Sequence, residues 1–499
     1  MENRPVKTIA KAAAIFLFGT VLAKLLTYIF RLVIARTGVE NYGLLSIALA
    51  IFGVISVVCV FGMDTGLYGL ISSSLKQEEK ERVKRFIKSA SKLSLALSLM
   101  LSFLLFILSD FIAIAFFHTE ELSLILKIIA IAIPFGVMRT IFQMALRAFQ
   151  LIKYDTITRI AENILKLILT IIFLGMGYAV FGITWAYTIS IFASFILSIF
   201  YFQRKVFTVF TTKVKAKLIN KELLVYSWPL LLNSISMIIL TWTDTLMIGF
   251  FRGVTEVGLY NTAAPTANLI SLLTKSIMAV FLPVTAALYL GNQKKQLENT
   301  YKTTIRWIFL INSFPVLLFV LFPREILSLF FGQSYGQAYP SLIILSIFFC
   351  ISSLTDVPRD ILLMHKKTKT IFHITLIGVI ANVILNLFLI PPYGYNGAAL
   401  ATGASFLITT ILFFSVARSK ANVHFFDATY LKMLLSMLII AALTIIVKSQ
   451  IPSMDTATFI LLAIAAVALH GLVLLLLNCF KKEELMIIKA GIRKIRSRK

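Results

Sequence analysis

Cysteine is scarce in this chain. Cys59, Cys350 and Cys479 all fall within apolar runs, and an odd number so placed makes neither a disulfide framework nor a thiolate metal site. Histidine is almost as sparse, with His118, His365, His373, His424 and His470 scattered singly. No nucleophile triad and no phosphate-cradling glycine loop accompanies them, so no metal, no cofactor and no enzyme are expected. Acidic residues are few as well: 22 Asp and Glu stand against 48 Lys and Arg, a formal net charge of +26. Such an excess suits nucleic acid, but here it is spread over loops such as KQEEKERVKRFIK and the tail AGIRKIRSRK, which suit anionic lipid headgroups instead. No nucleic-acid partner is expected. Charge of either sign is itself rare, at 14% of residues.

What is there in quantity is apolar surface, with 59% hydrophobic residues and a mean hydropathy of +0.92. That composition excludes a soluble domain of this size and predicts an all-α integral membrane protein. Runs long enough to cross a hydrocarbon core recur along the whole chain, at about 12–34, 42–71, 86–111, 122–149, 156–176, 180–202 and 223–251, then about 257–290, 303–321, 338–364, 371–390, 397–417, 429–447 and 456–479. About fourteen transmembrane helices are expected. The first run follows Arg4, Lys7 and Lys11 but is too long, and too interrupted by Lys24, for a cleaved signal peptide; it reads as an uncleaved anchor. Most Lys and Arg lie in the termini and even-numbered loops, with only Arg36, Arg252, Arg324 and Lys448 near the odd-numbered ones. Both termini are therefore expected in the cytoplasm, with the chain in the cell membrane.

The sequence also repeats itself. GVENYGLLSIALAIFGVIS from Gly38 aligns without gaps to GVTEVGLYNTAAPTANLIS from Gly253, and YAVFGITWAYTISIFASFIL from Tyr178 aligns to YGYNGAALATGASFLITTIL from Tyr393. Both pairs share one offset of 215 residues. The expected organisation is an N-terminal six-helix lobe (1–205), a cytoplasmic linker (206–222), a C-terminal six-helix lobe (223–420), and two extra helices with a basic tail (421–499). An even number of spans per lobe keeps both in the same orientation, so a pseudo-two-fold axis along the membrane normal is expected, an architecture suited to alternating access.

The turn ARTGVENYGLLSIA after the first helix, the second-half entry SWPLLLNSIS followed by TWTDTLMIGFFRGVTEVGLYNTA, and IPPYGYNGAALATGAS together resemble the polysaccharide-biosynthesis (O-antigen-type) flippases of the multidrug/oligosaccharidyl-lipid/polysaccharide (MOP) exporter superfamily. The resemblance covers essentially the whole chain. It implies a flippase that moves a polyprenyl-(pyro)phosphate-linked oligosaccharide from the cytoplasmic to the outer leaflet between two lobes, with membrane lipids as its other partner. In the related lipid II flippases a cation-lined cavity receives the diphosphate and the last two helices contribute a groove for the prenyl tail. The turn after the first helix departs from those lipid II flippases.

Within this frame, cations inside spans draw notice, because a charge at the bilayer centre costs about 2.5 to 3.5 kcal/mol on insertion scales. Lys24 and Arg31 are two helical turns apart and share a face with Thr20 and Thr27. Two readings stand: they line a cavity and bind the substrate phosphate, or they form an interhelical ion pair, for instance with Asp244. Arg139 and Lys275 have no sequence-local carboxylate and are further cavity candidates. Lys166 is another, although Glu162 one turn away is placed to pair with it; Lys127, near the outer end of its span, is placed to snorkel.

Asp64 and Asp244 are candidates for a gate salt bridge or for proton or sodium coupling, against a purely structural role; Asp244 matches the family's aspartate in the seventh helix. Asn382 and Asn386, one turn apart, are candidate sugar contacts or interhelical hydrogen-bonding residues. Pro229, Pro265, Pro283 and Pro315 are candidate bending points. A monomer is expected. Three alternatives remain: a lipid II flippase, a drug/cation antiporter of the same superfamily, and a polytopic glycosyltransferase. The antiporter calls for an acidic cavity where this first half is cation-rich. The glycosyltransferase calls for a sizeable outer loop, and the longest here, about 323–339, offers only Arg324 and Glu325.

Overall fold

The computed structural model describes residues 3–207, 220–421, 428–451 and 455–479. Residues 208–219 of the expected linker and 480–499 of the basic tail lie outside the described residues. Every element of regular structure among the described residues is helical. In chain order the helices are α1 (Asn3–Ala35), α2 (Val39–Val60), α3 (Met63–Lys76), α4 (Lys80–Phe117), α5 (Glu121–Ala148), α6 (Ile152–Gly175), α7 (Ala179–Lys205), α8 (Lys221–Arg252) and α9 (Val254–Ala267). They continue with α10 (Leu269–Leu290), α11 (Lys294–Leu321), α12 (Pro323–Phe331), a 3-10 turn (Gln333–Ala338), α13 (Tyr339–Ser353), α14 (Asp356–Met364), α15 (Thr368–Ala421), α16 (Ala428–Ser449) and α17 (Thr456–Leu476).

Twelve helical stretches among the described residues are long and apolar enough to cross a membrane. The expected fourteen spans differ from these twelve at two places, for two physical reasons. Helix α6 is missing from the twelve because Lys153, Asp155, Arg159, Glu162 and Lys166 make it too polar by composition, although it packs among apolar helices. The second difference is the stretch Thr368–Ser419, 52 residues long. At ~1.5 Å per residue a single straight helix of that length would far exceed the ~30 Å hydrocarbon core. The stretch breaks at Gly394, whose φ of 56° and ψ of −138° lie outside the helical region. Pro391 and Pro392 just before it supply no backbone donor. The Glu256 carboxylate accepts from the Tyr395 amide at 3.0 Å and fixes the turn. This is a helical hairpin, two of the expected spans.

The chain divides into two compact units, Met1–Thr262 with Val379–Thr402, and Ala263–Gly378 with Gly403–Lys499. In the first, α4 shows how a membrane helix chooses its faces. Leu99, Met100, Phe103, Ile107 and Phe111 are exposed, while Ser94, Ser98 and Ser109 are buried against the neighbouring helices. Lipid is as apolar as leucine, so the large side chains gain nothing by turning inward, and small residues let helices approach. Ser102 on the same helix donates to the Ala130 carbonyl of α5 at 2.5 Å.

The repeat seen in the sequence reappears as a contact in this unit. A Cβ placed on Gly43 would overlap the carbonyl oxygen of Val254, and one placed on Gly258 would overlap the carbonyl oxygen of Val39. These are equivalent positions of the two repeats, so each glycine admits the backbone of the other repeat.

In the second unit the C-terminal pair α16 and α17 packs on α11. His470 is buried there, with Ser313 at 2.9 Å from Nε2 and Ser436 at 2.9 Å from Nδ1. Pro229, Pro265, Pro283 and Pro315 all lie inside helices.

Candidate functional site

Polar side chains of α1, α2, α5, α6 and α7 converge in the first unit. Arg31 Nη1 donates to the Tyr42 hydroxyl at 3.1 Å, and that hydroxyl donates to the Asn261 carbonyl at 2.8 Å. Thr27 donates to Asn163 Oδ1 at 3.1 Å, and Lys166 Nζ donates to the same oxygen at 2.9 Å. Lys166 is only 5% exposed. Its ammonium lies 4.7 Å from the centre of the Phe30 ring and 5.6 Å from that of Tyr187, faces that attract a cation without neutralising it.

Glu162 does not take Lys166, as the helical spacing suggested. It pairs with Arg139 across the α5–α6 contact. Arg139 thus has its carboxylate, 23 residues further along the chain, although its Nε is buried with no hydrogen-bond partner among the described residues. Glu162, Arg139 and Arg31 are all within electrostatic reach of Lys166. Three cations therefore gather with Glu162, Asp155 acting on Arg139 from further along α6, and the nest carries a net positive charge. Two turns before Glu162, Asp155 is 0% exposed and is held by Arg147 Nε at 2.5 Å and Arg159 Nε at 3.0 Å. Lys24, two turns before Arg31, is exposed. Lys275 lies in the other unit, also exposed, near Asp356. Lys127 pairs with Asp110 at 2.9 Å.

A second constellation in the first unit surrounds Asp244, 4% exposed. Thr402 donates to Oδ2 at 2.6 Å, Tyr260 donates to the same oxygen, and Asn386 donates to Oδ1 at 2.7 Å, with Asn382 at 3.4 Å. Each of these donors is neutral. Arg31, one of the two cations that an ion pair with Asp244 would use, is engaged by Tyr42 instead. Asn382 and Asn386, candidates for sugar contacts or interhelical hydrogen bonds, are 1% and 0% exposed and serve Asp244 of another helix, because an intramembrane carboxylate without donors would be far costlier than two interhelical amides. Asn386 Oδ1 is buried with no donor among the described residues.

Asp64 borders a small cavity of about 110 Å³ with Ser56, Thr140 and Ser234. Its Oδ1 is buried without a hydrogen-bond partner among the described residues.

Sequence reasoning missed Tyr42, Asn163, Tyr187, Tyr260 and Thr402. Each is an ordinary residue of an apolar helix, and only the helix packing turns it toward a charge. Asp155, beside two arginines in α5 and α6, carried a signal in its charge pairing that went unused.

Comparison with known proteins places the chain in a lineage. A family model described as "Polysaccharide biosynthesis protein" matches residues 9–289, more than half of the chain, and one described as "MatE" matches residues 229–388. An uncharacterized membrane protein of Methanocaldococcus jannaschii is 25% identical over 420 residues, covering 80% of this chain and 82% of that protein. A probable low-salt glycan biosynthesis flippase of Haloferax volcanii is 27% identical over 205 residues, 41% of this chain and 43% of its own length. Among solved structures, the lipid II flippase MurJ in an inward closed conformation superposes with a TM-score of 0.70 at 18% identity, covering 92% of this chain and 98% of that one. That likeness concerns the fold.

Proposed function

Since the chain belongs to the polysaccharide biosynthesis protein family, we propose that it is a flippase carrying a polyprenyl-(pyro)phosphate-linked oligosaccharide from the cytoplasmic to the outer leaflet by alternating access. The observation that carries this reading is the nest of Arg31, Arg139 and Lys166, in which Glu162 is taken by Arg139 and the cations outnumber the carboxylates. A lipid phosphate crossing hydrocarbon must exchange its water for fixed donors. Arginine supplies them as a planar fork and lysine as a point charge, and a nest with surplus positive charge holds the anion without itself being neutralised. Lys24, on the same face of α1, extends the stripe toward the start of the helix.

Asp244 is the proposed coupling site for sodium or a proton. Asp244 Oδ1 and Oδ2, Asn382 Oδ1, Thr402 Oγ1 and the donorless Asn386 Oδ1 bring oxygens from three helices together, the ligand type that a hard monovalent cation takes. Asp64, with its unpartnered oxygen in a small polar cavity, is proposed as a gate or second coupling residue. In this reading the protein moves its substrate without altering a covalent bond, and both termini face the cytoplasm.

The test is complementation of a strain lacking its own flippase. Lys24→Gln with Arg31→Gln is expected to abolish surface glycan while leaving folded protein in the membrane, because glutamine keeps the polar stripe and removes only the charge. Neutralising Lys213 and Lys215 in the linker serves as control and is expected to leave transport nearly intact. Because the hydrogen bonds to Asp244 come from neutral donors, adding Asp244→Asn is expected not to rescue the double variant. Full activity in the double variant would defeat the phosphate role.

A further inference from the structure

The second unit holds a polar pocket of about 690 Å³ that the transport reading leaves unused. It is formed by α12, the 3-10 turn, the start of α13 and the start of α17, and its polar lining includes Arg324, Glu325, Gln333, Gln337, Tyr339 and Asp455. Its volume is in the range of sites that enclose a small molecule. Three features restrict the ligand.

The first is charge. Arg324, Glu325 and Asp455 line the pocket, and Glu325 is paired with Lys448 outside the lining, so these charges balance and suit neither a phosphate nor a cation. The second is rigidity. The Arg324 guanidinium lies over the Tyr339 ring at 4.1 Å, and Lys448 is fixed by Glu325 Oε1 at 2.7 Å, the Leu321 carbonyl at 3.1 Å and the face of Phe322. The polar groups are held before any ligand arrives. The third is an unmet acceptor: Glu325 Oε2 is buried and has no hydrogen-bond partner among the described residues. Two exposed amides, Gln333 and Gln337, line the same pocket and add donor and acceptor groups to it, Gln337 with part of its amide already engaged.

A neutral ligand rich in hydroxyl groups, each both donor and acceptor, satisfies all three features. We infer that this pocket binds a short saccharide, the glycan part of the transported lipid, at the end of the second unit where α11 and α16 terminate. On the orientation proposed above, that end is extracytoplasmic. The identity of the sugar rests on the flippase reading; the neutral, hydroxyl-seeking character of the pocket does not.

The probe is the oligosaccharide released by mild acid from the polyprenyl-linked pool of the cells that supply the protein, titrated into purified full-length protein in detergent and followed by saturation-transfer NMR. Saturable binding is expected. Gln333→Ala with Gln337→Ala is expected to weaken it about tenfold, the loss of one or two net hydrogen bonds. Both residues are exposed, so folding is expected to survive, as a size-exclusion profile would check. Lys24→Gln with Arg31→Gln is expected to leave saccharide binding unchanged. Absence of saturable binding, or binding indifferent to the two alanines, overturns the proposal. Flipping of the parent lipid-linked oligosaccharide in vesicles is measured separately. Flipping without saccharide binding removes the pocket assignment and leaves the transport reading, whereas absence of both removes both.

Discussion

Arg139 and Glu162 meet across two helices in a surrounding that carries surplus positive charge, and this sets what each is worth. Glu162→Gln leaves Arg139 without its ion-pair partner among surplus cations, and breaking a buried pair by removing one partner costs about 3 kcal/mol or more. Arg139→Gln with Glu162→Gln removes both charges and is expected to recover most of that loss. Thermal unfolding of the purified single and double variants, treated as a mutant cycle, gives the coupling; additive effects would show that the pair is not a unit. The same pair marks how far single residues are legible in a sequence. Glu162 stands four residues before Lys166, so helix geometry proposes that pair, and the cationic stripe of α1 was readable for the same reason. The actual partner is chosen by which faces of α5 and α6 meet. Lys166 turns instead into Phe30, Tyr187 and Asn163, and nothing local to it announces that.

At the scale of elements, the starts of α2 and α9 depend on glycine for closeness. Gly43→Ala or Gly258→Ala places a methyl group against the carbonyl of Val254 or Val39, with backbone rather than a flexible side chain as the obstacle. Each is expected to separate α2 from α9, costing about 1 to 3 kcal/mol as an overpacked contact does. The two should have similar effects, and the double variant should be no worse than their sum. A lowered melting temperature in both, with transport reduced in proportion to folded protein, is the expected result; a neutral alanine at either position would mean that the helices separate freely there. These helix starts were legible because the repeat offset picked them out. The hairpin at Gly394 was legible as two spans because Pro391 and Pro392 end the apolar run. That Asn382 and Asn386 hydrogen-bond between helices was legible from their type and one-turn spacing, but that Asp244 is their partner was not, since nothing local to them points to α8.

For the whole molecule the strongest sequence signal is the distribution of Lys and Arg, and its prediction is topological. In a background without Cys59, Cys350 and Cys479, all of them buried, single cysteines at Ser334 and Gln450 are expected to react with an impermeant thiol reagent added outside intact cells. Cysteines at Thr212 and Ser497, both outside the described residues, are expected to react only after permeabilisation. The opposite pattern would invert the orientation and with it the direction of transport. The number and spacing of spans were legible because each is a hydrophobic run of fixed minimum length. Helix α6 was legible as a span despite its charges because its apolar residues continue around them, and the structure supplies the reason: Asp155 and Glu162 pair with arginines of α5, and Lys166 lies against Phe30 of α1 and Tyr187 of α7.

The reciprocal fit of Gly43 on Val254 and Gly258 on Val39 has the form of an isologous interface, the kind two identical subunits make across a two-fold axis. A homodimer built on that seam would have to carry the same chemistry on both sides: two nests of cations or two carboxylate cages. Joining the two copies into one polypeptide lifts that restriction. Near one side of the seam Tyr42 holds Arg31, and near the other Tyr260 holds Asp244, so a single symmetric scaffold supports a cationic nest and a carboxylate cage at once.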